Sequence, residues 1–166
     1  MVGAALDFAT HYEPTPVRDA VRLLDAVPRP LETATFVDVG SGMGRVVLLA
    51  AQRPFKTVVG VEVSGALHEV ARENFRRFER EELDCRDVRF VRKDAAEYKF
   101  PRGRLVLYLY NPFKGPVLET VLDHVLAQPR EVTLLYHTPA ERDVVERTRA
   151  FVLVEDLGFA AVYRRT

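Results

Sequence analysis

The sequence predicts an α/β fold in which a seven-stranded, mostly parallel sheet carries helices on both faces and ends in an antiparallel hairpin. Short apolar runs alternate with helical patterns along almost the whole chain, which is typical of a wound parallel sheet. The run 105–110 is nearly continuously apolar, as expected of a central strand buried on both faces. The last two runs, 151–155 and 160–164, are joined by a link too short for a parallel crossover, so they should be antiparallel.

The individual elements follow from apolar periodicity and from helix-boundary residues. Thr15 is a candidate N-cap before Pro16, and Thr138, Pro139 and Glu141 form a candidate capping box for a later helix. A middle helix should place Val70 on its apolar face. Besides the runs above, strands are predicted over 35–39, 57–63, 88–92 and 132–136, and helices after Pro16, over 45–52, around 67–78, from Pro116 and after Thr138.

Composition limits the classes of function. With 166 residues, the chain is expected to form one domain, 1–166, made of an N-terminal lid and helix segment, 1–30, and a core, 31–166. The 24 basic and 24 acidic residues cancel, which removes the usual electrostatic argument for a nucleic-acid partner. One cysteine, no apolar run of about 20 residues and no signal-peptide pattern favour a cytoplasmic protein without a membrane span. The four histidines lack metal-ligand spacing, so no metal is expected.

The stretch 36–45, Phe-Val-Asp-Val-Gly-Ser-Gly-Met-Gly-Arg, is a strand running through a glycine turn into a helix, the layout of a nucleotide-type cofactor site. Its third glycine comes one residue too early for a dinucleotide fingerprint, and the chain has no Gly-Lys-Ser/Thr of a Walker loop. Asp38 would repel a phosphate but suits a ligand with an ammonium group. S-adenosylmethionine (SAM) carries an ammonium and a sulfonium, and no phosphate. A generic glycine turn is the alternative.

The pattern D-x-G-x-G-x-G over 38–44 resembles the first motif of class I SAM-dependent methyltransferases, whose domain is Rossmann-like. The resemblance implies SAM as cofactor, S-adenosylhomocysteine as product, and a cofactor loop made of Asp38, Gly40, Ser41, Gly42 and Gly44.

Two further acidic residues follow successive predicted strands. Glu62 lies eighteen residues past Gly44, near the spacing at which a carboxylate accepts hydrogen bonds from ribose hydroxyls, and Val63 follows it. Asp94 and Ala95 resemble the family motif that contacts adenine. The alternatives are a solvated strand-end carboxylate for Glu62 and a simple turn for Asp94.

The segment Tyr110-Asn111-Pro112-Phe113 follows the fourth predicted strand. Amino-methylating members of the family carry Asn/Asp-Pro-Pro-Tyr/Phe here, where the amide and a carbonyl orient the attacking nitrogen. By that resemblance, Asn111, Pro112 and Phe113 are the candidate catalytic residues, and Asn111 also lines the cofactor pocket. The single proline is a departure that puts adenine or cytosine methylation in doubt. The alternative is an Asn-Pro turn that ends the strand.

The N-terminal segment Tyr-Glu-Pro-Thr-Pro, 12–16, completes a resemblance to small stand-alone bacterial methyltransferases that covers nearly the whole chain. Part of it is also similar to Dot1-type and other lysine methyltransferases. The resemblance implies that Tyr12 and Thr15 close over the methionine end of SAM. A helix start without ligand contact is the alternative.

Together these features predict a SAM-dependent methyltransferase, with a protein amino group of the lysine type or another amine as acceptor. The absence of an inserted domain after the later strands favours a macromolecular acceptor or a partner that completes the site. The alternatives are a small-molecule N- or O-methyltransferase, a SAM-binding module without activity and, more remotely, a dehydrogenase. His137 is a candidate base, with a structural role as its alternative. The oligomeric state stays open.

Overall fold

The computed structural model describes residues 13–111, 113–128 and 130–165. Within these ranges a sheet of seven strands has the order β3-β2-β1-β4-β5-β7-β6. The strands are β1 Ala34–Val39, β2 Thr57–Glu62, β3 Val88–Arg92, β4 Arg104–Tyr110, β5 Val132–His137, β6 Phe151–Asp156 and β7 Ala160–Arg165.

Strands β1 to β5 are parallel, whereas β7 runs antiparallel to both β5 and β6. The predicted fold class and its antiparallel C-terminal hairpin are therefore confirmed. Every residue of β1, β2 and β5 is buried, as expected of strands covered on both faces.

Five α-helices are described, together with two short 3₁₀ turns at Arg80–Glu82 and Ala95–Glu97. One hydrophobic cluster holds the apolar residues of α1 and α2, and a second cluster on the other face holds those of α4 and α5. The helices are α1 Val17–Asp25, α2 Arg45–Ala51, α3 Gly65–Arg77, α4 Pro116–Leu126 and α5 Arg142–Arg147. None of the described helices is both long and apolar enough to cross a membrane.

Three local predictions are wrong. Thr138 is not an N-cap, because α5 begins only at Arg142 and the Thr138 hydroxyl pairs with Nδ1 of His137 at 2.9 Å. Thr15 does not cap α1 either, since its hydroxyl turns inward to Tyr108. Val70 is 41% exposed, because α3 lies at the margin of the sheet and buries a narrower stripe than its apolar pattern indicates.

Candidate functional site

The cofactor loop is the turn 38–44 between β1 and α2, and it folds onto the end of β2. The backbone N–H groups of Gly40 and Ser41 both donate to the carbonyl of Val61, at 2.8 and 3.0 Å. Gly40, Gly42 and Gly44 have φ values of 78°, 55° and 84°, a region in which a side chain is costly. The glycines are therefore required by the backbone path of the loop.

Gly44 also allows a close approach. It stands immediately before α2, and a Cβ placed on it would lie 3.1 Å from Cβ of Ala71 and 3.2 Å from the ring of Phe90. The turn thus brings the N-terminal end of α2 against α3 and β3.

Glu62, the last residue of β2, is buried and binds two backbone segments. Its Oε2 accepts a hydrogen bond from the N–H of Gly42 and its Oε1 accepts one from the N–H of Ser64, both at 2.8 Å. A carboxylate has about four acceptor positions, so two remain for a ligand. The solvated-carboxylate interpretation of Glu62 is excluded, because only 7% of the residue is exposed.

Asp38 lies beneath the cofactor loop and is 3% exposed. Its burial, followed by the negative charge of Glu62, raises the pKa of its carboxyl to about 8. Nearby, the buried hydroxyl of Ser41 has no hydrogen-bond partner among the described residues. Both features fit a binding site for a polar ligand. A cationic group would stabilise the Asp38 carboxylate, and a polar group would form a hydrogen bond with the Ser41 hydroxyl.

Asp94 follows β3 at the same edge of the sheet. Its Oδ1 accepts a hydrogen bond from the N–H of Ala96 at 2.9 Å, so it caps the short 3₁₀ turn that begins at Ala95. The N–H of Lys93 donates to the carbonyl of Glu62 at 3.1 Å, which holds this turn beside the end of β2. Val63 is half-buried there.

Asn111 follows β4 directly and has a left-handed backbone, with φ 41°. It is therefore on the same edge as Glu62 and Asp94, because the carboxyl ends of parallel strands share an edge. Phe113 lies instead in the hydrophobic cluster with α4 and is 3% exposed. Pro112 and Tyr12 lie outside the described residues, so their predicted roles stay predictions.

A second polar cluster, which we call the acceptor cluster for the role that we propose for it, lies on the face of the sheet that carries α1, and its Tyr110 directly precedes Asn111 in the chain. The Tyr108 hydroxyl pairs with that of Thr15 at 2.8 Å, and Nε2 of His137 lies 3.0 Å from Asp19. Tyr110 is also part of it. The cluster consists of Glu13, Thr15, Asp19, Tyr108, Tyr110, His137 and Thr138.

The acceptor cluster contains two carboxylates, Glu13 and Asp19, and two arginines contact it. Arg18 pairs with Asp19 at 3.8 Å, and Arg45 donates to the carbonyl of Thr15 at 3.1 Å. Partial burial and then the carboxylate of Glu13 raise the pKa of Tyr110, and Asp19 acts in the same direction. Both ring nitrogens of His137 are engaged, one by Asp19 and the other by Thr138. His137 therefore links the end of β5 to α1 through its contact with Asp19.

Apart from Thr15 and His137, sequence reasoning missed the acceptor cluster. Its signal was present in β4, where Tyr108 and Tyr110 are two residues apart in an otherwise apolar strand. Alternate strand residues share a face, and buried tyrosines require hydrogen-bond partners. The strand therefore indicated a polar group on one face of the sheet.

A cleft of about 300 Å³ between α2 and α3 is lined by Met43, Leu49 and Phe78, among others. None of the predicted site residues lines it, but Met43 belongs to the cofactor loop, so the cleft borders that loop. No group of His, Cys, Asp and Glu side chains in the described parts of the chain could hold a metal ion.

The strand order, the cofactor loop after β1 and the acidic residues after β2 and β3 define a class I SAM-dependent methyltransferase, with SAM as its cofactor. A family model described as a methyltransferase domain matches residues 36–130. The match spans more than half of the chain, and the chain belongs to this family. No curated protein matches it in sequence.

Solved methyltransferase structures share the fold. An RNA methyltransferase from Salinibacter ruber, in complex with S-adenosylhomocysteine, is 24% identical over 93% of both chains, with a TM-score of 0.56. N-methyltransferase NodS from Bradyrhizobium japonicum is 14% identical, with a TM-score of 0.61 over 89% of this chain and 93% of NodS. A ribosomal-protein methylase from Lactobacillus delbrueckii subsp. bulgaricus is 15% identical, with a TM-score of 0.58 over 90% of this chain and 77% of the methylase.

Proposed function

We propose that this enzyme transfers the methyl group of SAM to an amino group of a protein, with a lysine-type side chain as the acceptor. One observation carries the proposal. Asn111, the residue that would contact the acceptor, directly follows Tyr110, and the negative charges of Glu13 and Asp19 act on Tyr110. A cationic amine is attracted to such a site, whereas a phosphate is repelled.

The described residues fit SAM. Asp38 would hold the ammonium of its methionine part, and Glu62 would accept hydrogen bonds from its ribose through the two acceptor positions that its backbone contacts leave open. Asp94 and the N–H of Ala95 would contact adenine. Gly40, Ser41, Gly42 and Gly44 would surround the methionine part, with Val63 at the adenine and Thr15 near the methionine end.

When bound, SAM supplies a methyl group activated by the sulfonium, so the protein mainly has to position the acceptor and exclude water. The amide oxygen of Asn111 would accept a hydrogen bond from the acceptor N–H and thereby direct the nitrogen lone pair toward the site. An ammonium acceptor must first lose one proton, which the carboxylate of Glu13 or Asp19 would accept. Pro112 and Phe113 would shape the segment that carries Asn111.

RNA is the main competing macromolecular acceptor, since an RNA methyltransferase is among the solved structures of this fold. Two observations argue against it for this chain. Basic and acidic residues balance at 24 each, and the residues of the acceptor cluster include two carboxylates and no Lys or Arg. The two arginines that contact the cluster, Arg18 and Arg45, are held by Asp19 and by the carbonyl of Thr15.

The decisive experiment incubates the purified protein with methyl-labelled SAM and fractions of cell extract, with and without ribonuclease and protease. We expect label in a protease-sensitive, ribonuclease-resistant fraction. Label confined to small molecules, or to RNA, would refute the protein acceptor but leave methyl transfer intact. Calorimetry that shows no binding of SAM or S-adenosylhomocysteine would refute the cofactor assignment itself.

Asn111 is tested with a pair of variants. Asn111→Gly accepts the left-handed backbone but removes the amide, so we expect transfer to fall at least ~100-fold, the scale of a lost orienting contact. SAM affinity should stay within about twofold. Asn111→Asp keeps an acceptor oxygen and should retain more activity than Asn111→Gly. Equal activity of wild type and Asn111→Gly would show that Asn111 is a plain turn residue.

A further inference from the structure

Strand β6 is an edge of the sheet and exposes an apolar surface. Val152, Leu153 and Val154 are consecutive and are 52%, 40% and 49% exposed. In the described strand order β6 pairs only with β7, so its other side presents backbone N–H and C=O groups without a neighbouring strand. Exposed apolar edge strands favour pairing with another chain.

The strand at the opposite edge of the sheet, β3, differs from β6 in where its charged residues lie. β3 carries Arg89 and Arg92 within its five residues, and both are exposed. Charged residues of this kind block strand addition. β6 has no charged residue from position 150 to 154. Its protective features are the charges of Glu155 and Asp156 and a bulge between Leu153 and Glu155. They lie at its C-terminal end and shorten the segment available for pairing.

The charges that flank β6 are opposite at its two ends. The exposed Arg149 precedes the strand and has no ion pair with a described residue, whereas Glu155 and Asp156 end it. Within the chain these two carboxylates form surface pairs with Arg22 at 3.5 Å and Arg142 at 2.9 Å, and such pairs are weak enough to exchange partners. Two copies of the strand placed antiparallel around Val152 bring the basic end of each beside the acidic end of the other. The strand is thus complementary in charge to itself, as an interface with two-fold symmetry requires.

We propose that the enzyme forms a homodimer in which the β6 strands of two copies pair antiparallel and join their sheets. The strand order places β5 and β7 between β4 and this interface, so the candidate site of each copy stays open to its acceptor. The bulge keeps the pairing short, so we expect a weak dimer that dissociates at low protein concentration. The proposal does not rest on the acceptor being a protein.

Sedimentation velocity of the full chain over the micromolar to millimolar range tests this. We expect a shift from 18.9 kDa to twice that mass. Val152→Lys should raise the dimer dissociation constant at least ~100-fold, because it places like charges together at the two-fold axis. Val70→Lys is the matched control, since Val70 is exposed on α3, and it should leave the dimer unchanged. Circular dichroism checks that both variants are folded.

Charge exchange tests the antiparallel arrangement. Arg149→Glu or Glu155→Arg alone should weaken the dimer, because each brings like charges together. The double variant should restore part of it, since Glu155→Arg also places a positive charge beside Arg22 of its own chain. A monomer at every concentration would overturn the proposal. So would a dimer that Val152→Lys leaves intact, because it would form through another surface. A double variant weaker than either single variant would refute the antiparallel pairing.

Discussion

The two halves of the site are built by different means. In the cofactor half, formed by the cofactor loop with Glu62, contacts are local and involve the backbone: Gly42 reaches Glu62 across 20 positions, and Ser64 reaches it across 2. In the acceptor cluster, side chains meet across the chain, with Thr15 and Tyr108 separated by 93 positions and Asp19 and His137 by 118. The cofactor half is therefore formed with the sheet, whereas the acceptor cluster depends on where α1 docks.

The largest expected effect concerns the cofactor half and comes from Asp38→Asn. The folded-state pKa of about 8 exceeds the usual 3.8, so the folded protein binds more protons than the unfolded chain between these values. Stability from this group is complete below about pH 4 and is lost as the pH rises through 8. The neutral amide removes this loss, so Asp38→Asn should be more stable than wild type at pH 9 by a few kcal/mol.

Binding should change in the opposite direction. Without the carboxylate that we propose holds the SAM ammonium, Asp38→Asn should bind SAM on the order of 100-fold more weakly at pH 8. Urea unfolding at pH 5 and pH 9, with calorimetry, measures both quantities. Asp123→Asn, an exposed substitution on α4, is the control and should change neither. If Asp38→Asn destabilised the protein equally at both pH values, the Asp38 carboxyl would be a structural acceptor in either protonation state.

The next effect tests whether backbone geometry builds the cofactor half. Gly44→Ala adds a Cβ in the left-handed region and crowds Ala71 and Phe90, so it should cost about 2–4 kcal/mol of unfolding free energy. Gly103→Ala is matched, with φ 90° and nothing within 4 Å of the added Cβ, and should cost about 1 kcal/mol. Chemical denaturation compares the two variants. Equal costs would mean that α2 and α3 shift apart to accept the methyl group.

The smallest effect concerns the acceptor cluster. Thr15→Val and Tyr108→Phe each remove one partner of the 2.8 Å hydroxyl pair, and a double-mutant cycle should give a coupling energy of about 1 kcal/mol. Each single variant should lower methyl transfer more than SAM affinity, because it loosens the segment before α1. A coupling energy near zero would show that the N-terminal segment docks through its apolar contacts alone.

The same difference explains what could be predicted from the sequence. The sheet follows from apolar runs, and the positions of Asp38, Glu62, Asp94 and Asn111 follow from the rule that parallel strands end at one edge. The contact of Glu62 with the cofactor loop lies within one strand–helix–strand unit, β1-α2-β2, so the spacing of residues along the sequence predicts that the two come together.

The acceptor cluster could not be predicted in this way. The sequence predicts an N-cap at Thr15, because a threonine directly before a helix commonly accepts a hydrogen bond from the first turn of that helix. A distant hydroxyl, that of Tyr108, takes the bond instead. The predicted N-cap at Thr138 is wrong in the same way, because its hydroxyl pairs with Nδ1 of His137 and not with the backbone of the following helix. Where a polar side chain has both a local and a distant partner available, tertiary packing decides, and a single sequence does not contain that information.

Glu62 has a consequence for how this site can change in evolution. Its carboxylate already joins the cofactor loop to the start of α3, so the position serves the fold and the proposed ribose contact at once. A substitution of Glu62 would destabilise the fold as well as weaken the proposed ribose contact, so selection against poor folding would remove it. Drift toward a different cofactor should therefore reach Glu62 last.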